Sequence, residues 1–163
     1  MDISWIAVVV AAIAAFAIGA LWYSPALFAR AWQREAGLSD AALTDGRQGI
    51  VFGGAFALLL VASAVFAMFL GPDPSLQLGL GAGLAAGLAW VAAGVGVLYL
   101  FERRSLRLAL INGGYLTLAF TAIGLVMMPP YAVPDDGRLV PVLDESFHAE
   151  RTFWLVAPAD LFR

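Results

Sequence analysis

No charged residue occurs between Ile3 and Ala29. Three later stretches of similar length are almost as clean. Ile3 to Tyr23 alone makes a helix of about 31 Å at ~1.5 Å per residue, the thickness of a bilayer's hydrocarbon core. The second stretch runs from about Ile50 to Leu70, between Arg47 and the breaker Gly71-Pro72-Asp73-Pro74. The third runs from about Leu76 to Phe101, with no charge between Asp73 and Glu102. The fourth runs from about Leu106 to Met128, where Pro129-Pro130 stops it. Hydrophobic residues make up 62 % of the chain and charged ones 13 %. A soluble domain of 163 residues could not bury that much apolar surface. The expected fold is an all-α membrane protein: a bundle of four transmembrane helices over 1–128, followed by an irregular extramembrane tail over 129–163.

The first stretch does not read as a cleavable signal. It follows Met1-Asp2 without a basic flank, and its apolar run exceeds the usual ~7–15 residues. The arginines set the orientation. Arg30, Arg34 and Arg47 follow span one, and Arg103, Arg104 and Arg107 follow span three, whereas the short loop between spans two and three has none. The positive-inside rule then places that side in the cytoplasm and both termini in the periplasm of a bacterial inner membrane. All nine basic residues are arginine, in keeping with a GC-rich bacterial coding sequence.

Between spans one and two, Leu27, Phe28, Ala31 and Trp32 share one helical face. That spacing suits a short interfacial helix with its aromatics dipped into lipid; packing beneath the bundle is the plain alternative. Trp22, Tyr23 and Pro25 read as an anchor and turn: the rings belong to the interfacial belt, and Pro25 suits the first turn of the next helix. Helix contacts in lipid depend on close backbone approach, so small residues four apart mark packing faces. Gly79, Gly83 and Gly87 form such a row in span three. Ala7, Ala11, Ala15 and Gly19 form one in span one, and Ala109, Gly113, Thr117 and Thr121 one in span four.

Two motifs carry a family resemblance. Gly19-Ala20-Leu21-Trp22-Tyr23-Ser24-Pro25 is followed by Phe28 and Trp32, and Tyr99-Leu100-Phe101-Glu102-Arg103-Arg104 by Ile111-Asn112-Gly113-Gly114-Tyr115. In order and spacing they resemble the bacterial and fungal membrane family catalogued as domain of unknown function 1761, over roughly residues 3 to 128. The resemblance implies a four-span fold and no assigned activity. It also implies a polar residue, often His, after Tyr115, where this chain has Leu116.

Asn112 and Tyr115 lie near one face of span four, about two turns from the arginine-rich end. They serve either as interhelical glue or as a polar contact for a ligand. Trp90, near the middle of span three, needs a partner for its indole N–H: a carbonyl, Ser63, or a bound pigment, quinone or lipid. Glu102 with Arg103, Arg104 and Arg107 makes a charged collar at the membrane surface. In the tail, Phe153, Trp154 and Leu155 are too apolar for free solvation and are candidates for gripping a partner.

Catalytic and metal chemistry lack parts. Cysteine is absent, His148 is the single histidine, and no carboxylate lies inside a span. No cofactor, catalytic group or metal site is therefore expected. Asp135, Asp136, Asp144 and Glu145 do not have EF-hand spacing. A net charge of −3 without a basic cluster argues against nucleic acid. Proton coupling normally needs ionisable groups at mid-depth, which the spans lack. The expectation is a non-enzymatic accessory or scaffold subunit of a larger bacterial inner-membrane complex, respiratory or photosynthetic hosts included. Its partners are the lipid bilayer and other membrane subunits, met through the tail and spans. The alternative is a small oligomeric transporter or channel for an uncharged or apolar solute.

Overall fold

Serine opens four of the helices, and for one reason. In extended backbone, the hydroxyl oxygens of Ser4, Ser39, Ser75 and Ser105 accept from the amides of Ala7, Ala42, Leu78 and Leu108 at 3.3, 3.2, 3.2 and 3.1 Å. Each satisfies a donor that the helix itself leaves unpaired. The computed structural model describes residues 3–44 and 46–127. Its helices are α1 (Trp5–Trp22), α2 (Ala29–Ala36), α3 (Asp40–Leu43), α4 (Gln48–Leu70), α5 (Leu76–Ala85), α6 (Ala93–Phe101) and α7 (Leu106–Val126), with a π-helical turn over Ala86–Ala92 joining α5 to α6. No strand occurs among the described residues. Phe153, Trp154, Leu155, His148 and the rest of the tail lie outside them.

Among the described residues four helices are long and apolar enough to cross a membrane: Trp5–Trp22, Gln48–Leu70, Leu76–Phe101 and Leu106–Val126. The expected spans agree to within a turn at each end. Large apolar side chains cover the outside, with Ile6 79 % and Phe101 85 % exposed. Water would penalise such a surface; acyl chains do not.

α7 is the hub. It packs against α1 on one side and against α5 and the π turn on the other, while α4 packs mainly on α1. Phe16 meets Phe52 and Phe56 edge-on at 6.3 and 5.7 Å, which fixes the α1–α4 seam. The buried core is mostly small: Ala11, Ala15, Ala67, Ala86 and Ala119, with Val8, Phe66 and Ile123 filling between them.

The glycine row of span three makes the closest approach. A Cβ on Gly83 would lie 2.5 Å from the Phe120 carbonyl oxygen, and one on Gly87 2.7 Å from the Thr117 Cα. Gly79 meets its counterpart in Gly124, whose position the small-residue row of span four omitted. Backbone touches backbone along this seam, which only glycine permits.

The π turn was not expected. Four residues beyond Gly87 an α register would bring Val91 to the seam, whereas the wider turn brings Ala92 there. A Cβ on Gly113 would sit 3.2 Å from that of Ala92. Trp90 points outward, 72 % exposed, and its indole N–H has no hydrogen-bond partner among the described residues. Of the partners open to it, neither a carbonyl nor Ser63 pairs with it among the described residues, and the fully buried Ser63 hydroxyl has no partner there.

One expectation on the α1–α2 link needs correction. Pro25 is not in the first turn of α2, which begins at Ala29 with Phe28 as its N-cap. It sits in a tight connection closed by the Leu27 and Ala29 amides on the Ser24 carbonyl and by the Phe28 amide on the Trp22 carbonyl. Of the two readings of Phe28 and Trp32, the ring contacts favour packing beneath the bundle: Phe28 lies tilted against Trp22 with ring centroids at 4.5 Å, and Trp32 meets Tyr23 edge-on at 5.5 Å.

Candidate functional site: a tyrosine–asparagine cluster at the arginine-rich end

Both distinctive motifs converge on one place. Trp22 is the last residue of α1 and Tyr23 its C-cap, while Ile111 and Asn112 lie in the second turn of α7, about 9 Å from its start at ~1.5 Å per residue. The Trp22 indole donates from Nε1 to the Ile111 carbonyl at 3.0 Å. The Tyr23 hydroxyl donates to Asn112 Oδ1 at 2.8 Å. Asn112 Nδ2 in turn donates to the Tyr99 hydroxyl oxygen, also at 2.8 Å. One amide thus joins the first, third and fourth spans.

Clearance for the rings comes from glycine. A Cβ on Gly19 would lie 3.0 Å from Tyr115 Cε2, and one on Gly114 3.0 Å from Trp22 Cζ2. The Tyr115 ring sits 5.4 Å from that of Tyr23, edge-on. Trp22, Tyr23, Phe28, Trp32 and Tyr115 therefore form one aromatic floor under Asn112. Their predicted role as interfacial anchors understates this, since Trp22 and Tyr23 are half-buried and hold α1 to α7.

Tyr99 stands in the family motif, but spacing alone does not bring it to the site. It lies two residues before the end of α6 and Asn112 six after the start of α7, a difference in depth of about 6 Å at ~1.5 Å per residue that the long Tyr99 side chain spans. Gly114 was likewise missed, because its need shows only once the Trp22 ring is placed.

Tyr99 also lines an apolar groove of about 380 Å³ between α6 and the start of α7. The charged collar stands at the groove's end. Arg104 Nε pairs with Glu102 Oε2 at 3.3 Å. Glu35 of α2 reaches across to accept from the Ser105 hydroxyl, with Arg107 at 4.0 Å. Exposed pairs like these contribute at most about 1 kcal/mol each. The loop itself closes with the Arg104 amide on the Tyr99 carbonyl and the Arg103 amide on the Leu100 carbonyl. That closure holds Arg103 at φ 54, a left-handed conformation that α2's matching end gives to Gly37 at φ 70.

Chemically the cluster offers hydrogen-bond donors and acceptors held by aromatic rings. Among the described residues no group of three or more His, Cys, Asp or Glu side chains gathers to hold a metal. Trp90, Phe153, Trp154 and Leu155 are not brought to the cluster: Trp90 faces outward along span three, and the other three lie outside the described residues.

Comparison with known proteins places residues 6–128 on the model of the family described as protein of unknown function DUF1761, and the chain belongs to that family. The matched region holds all four spans and the whole cluster. No curated protein and no solved structure matches.

Proposed function

We propose that this member of the DUF1761 family serves as a non-enzymatic accessory or scaffold subunit of a larger membrane assembly. The observation that carries the reading is the use of Asn112. Its carbonyl oxygen and its amide are taken up by phenols of two other spans, so this polar side chain holds helix to helix. A transporter for an uncharged solute wants such a group facing a wet path, and here it faces Tyr23 and Tyr99. The outer face of α4 adds support. Gly49, Gly53 and Gly54 have no neighbour within 4 Å of where a Cβ would stand, so this helix keeps unused sites for close approach by another span. Phe153, Trp154 and Leu155 of the tail would offer a partner a further apolar contact.

The host is a bacterial inner membrane in this reading, with the six arginines that follow spans one and three in the cytoplasm and both termini in the periplasm. Reporter fusions at Met1 and Arg163 test the orientation, and activity of a cytoplasm-only reporter at either end would reverse it. Copurification from mild detergent tests the role. The expected result is a complex heavier than the monomer that Gly53→Leu dissociates while the helical circular dichroism spectrum stays intact. A wild-type chain that migrates alone as a monomer would refute the scaffold reading.

A further inference from the structure

The third span holds α7 tightly along Gly79–Gly87 and then parts from it. Gly96 has nothing within 4 Å of a would-be Cβ, and it opens on the 380 Å³ groove beside α6 and α7. Its walls include Gly96, Val97, Leu100 and Ala109, and Arg104 and Ser105 stand at its end. Val97 and Leu100 are 52 % and 79 % exposed, so the groove opens sideways into the hydrocarbon and not toward water. An occupant must be apolar along most of its length and polar at the arginine-rich end.

The charge there is specific. Glu102 and Glu35 oppose Arg103, Arg104 and Arg107, so the collar carries one positive charge in excess. Of the three collar arginines, Arg103 has no ion pair among the described residues, and it occupies a left-handed position where glycine would be unstrained. A surplus cation next in the chain to the groove-lining Arg104 calls for an anion tethered to a hydrocarbon chain. We propose that this groove binds a monoanionic phospholipid of the phosphatidylglycerol class, one acyl chain along Gly96 and Leu100 and its phosphodiester against Arg104, within the field of the neighbouring Arg103. A zwitterionic lipid would fill the groove equally well but gain nothing from the surplus charge, whereas a free phosphate would lack the apolar contacts.

The test uses the full chain in mild non-ionic detergent, with bound lipid counted by native mass spectrometry. Phosphatidylglycerol should bind about fivefold more tightly than phosphatidylethanolamine of the same acyl chains, the factor expected from one uncompensated arginine at a membrane surface. Arg104→Gln brings the collar to neutrality and should abolish that preference while leaving acyl binding in place. Gly96→Leu places a side chain into the open groove and should lower binding of both lipids, with the circular dichroism spectrum unchanged. Equal binding of the two lipids by the wild-type chain would overturn the proposal, as would a Gly96→Leu chain that binds like wild type. Displacement of phosphatidylglycerol by inorganic phosphate would overturn it too, since the site would then recognise a bare anion.

Discussion

Gly81 and Gly83 stand two residues apart on α5, and replacing each with alanine should move stability in opposite directions. The Cβ of Gly83→Ala would be placed 2.5 Å from the Phe120 carbonyl oxygen and 2.9 Å from the Thr121 Cα. Both are backbone atoms, so no side-chain rotation relieves the clash. Ordinary contact starts at 3.4 Å, and α5 and α7 must therefore separate by nearly 1 Å at their closest point. Overpacking of this kind costs about 1–3 kcal/mol, against which alanine's better helix propensity returns at most ~1 kcal/mol. Gly81→Ala meets nothing within 4 Å and keeps only the favourable part. Thermal unfolding of detergent-solubilised protein reads the difference. At roughly 2–4 °C per kcal/mol for a chain of this size, the net cost of about 0–2 kcal/mol means that Gly83→Ala should lower Tm by up to about 8 °C, while Gly81→Ala should raise it slightly. Substitutions that shift Tm in the same direction and by the same amount would mean the glycine row is not a backbone contact, and the packing of span three on α7 would be wrong.

The polar cluster and the loop give two further tests. Asn112→Leu removes two interhelical hydrogen bonds worth about 0.6–1 kcal/mol each and should destabilise by roughly 1–2 kcal/mol, with Tyr23→Phe costing about half as much. The double substitution should cost no more than Asn112→Leu alone, because Tyr23 then has no partner left to lose; a full sum of the two single effects in a double-mutant cycle would deny the bond. Arg103→Gly relieves a left-handed residue, and since that conformation costs a non-glycine residue about 1–2 kcal/mol while glycine costs the unfolded chain up to ~1 kcal/mol, a net gain of up to ~1 kcal/mol is expected in lipid-free detergent. A loss of Tm there would show that the Arg103 side chain makes a stabilising contact outweighing its backbone strain.

The spans were legible because the membrane's demand is coarse: a run of apolar residues about 30 Å long with no charge satisfies it. Which face of each helix turns inward was much less so. In water the buried face is the apolar one, but here lipid is as apolar as the core and the contrast disappears. Trp90 shows the effect, since nothing in an apolar helix distinguishes a ring facing α7 from a ring facing acyl chains. Glycine rows escape this degeneracy because they report backbone proximity, and Gly79, Gly83 and Gly87 lie along the seam with α7. Gly124 and Gly114 were missed because their partners come from other segments, Gly79 and Trp22, and single-helix spacing does not contain them. The cluster was half legible: Trp22, Tyr23, Asn112 and Tyr115 stood out as polar or aromatic residues in apolar surroundings, whereas their convergence, and the part of Tyr99 in it, required the antiparallel fold.

The π turn ties these pieces together. α5 is held to α7 by glycine contact and α6 by the Tyr99–Asn112 hydrogen bond, two fixings that an unbroken α register would not align. The wide turn over Ala86–Ala92 absorbs the mismatch, placing Ala92 against Gly113 and Tyr99 beside Asn112, and turning the α6 face with Gly96 away from α7 to leave the groove. Removing one residue from the turn tests this directly. Deletion of Ala89 should restore the α register and rotate α6 by about 100°, the angle one residue subtends in a helix of 3.6 per turn. The chain contains no cysteine, so an introduced pair reports without background. With a Cβ at Gly113 placed 3.2 Å from that of Ala92, the pair Ala92→Cys and Gly113→Cys is within reach of a disulfide after slight adjustment and should oxidise readily in the full-length chain. In the deletion variant the same pair should stay reduced and the Tm should fall by an amount similar to that of Asn112→Leu, since Tyr99 is carried away with the rotation. Equal cross-linking with and without Ala89, in a protein that keeps its helical spectrum, would show that the turn is slack in the span and not the element that sets the register of α6.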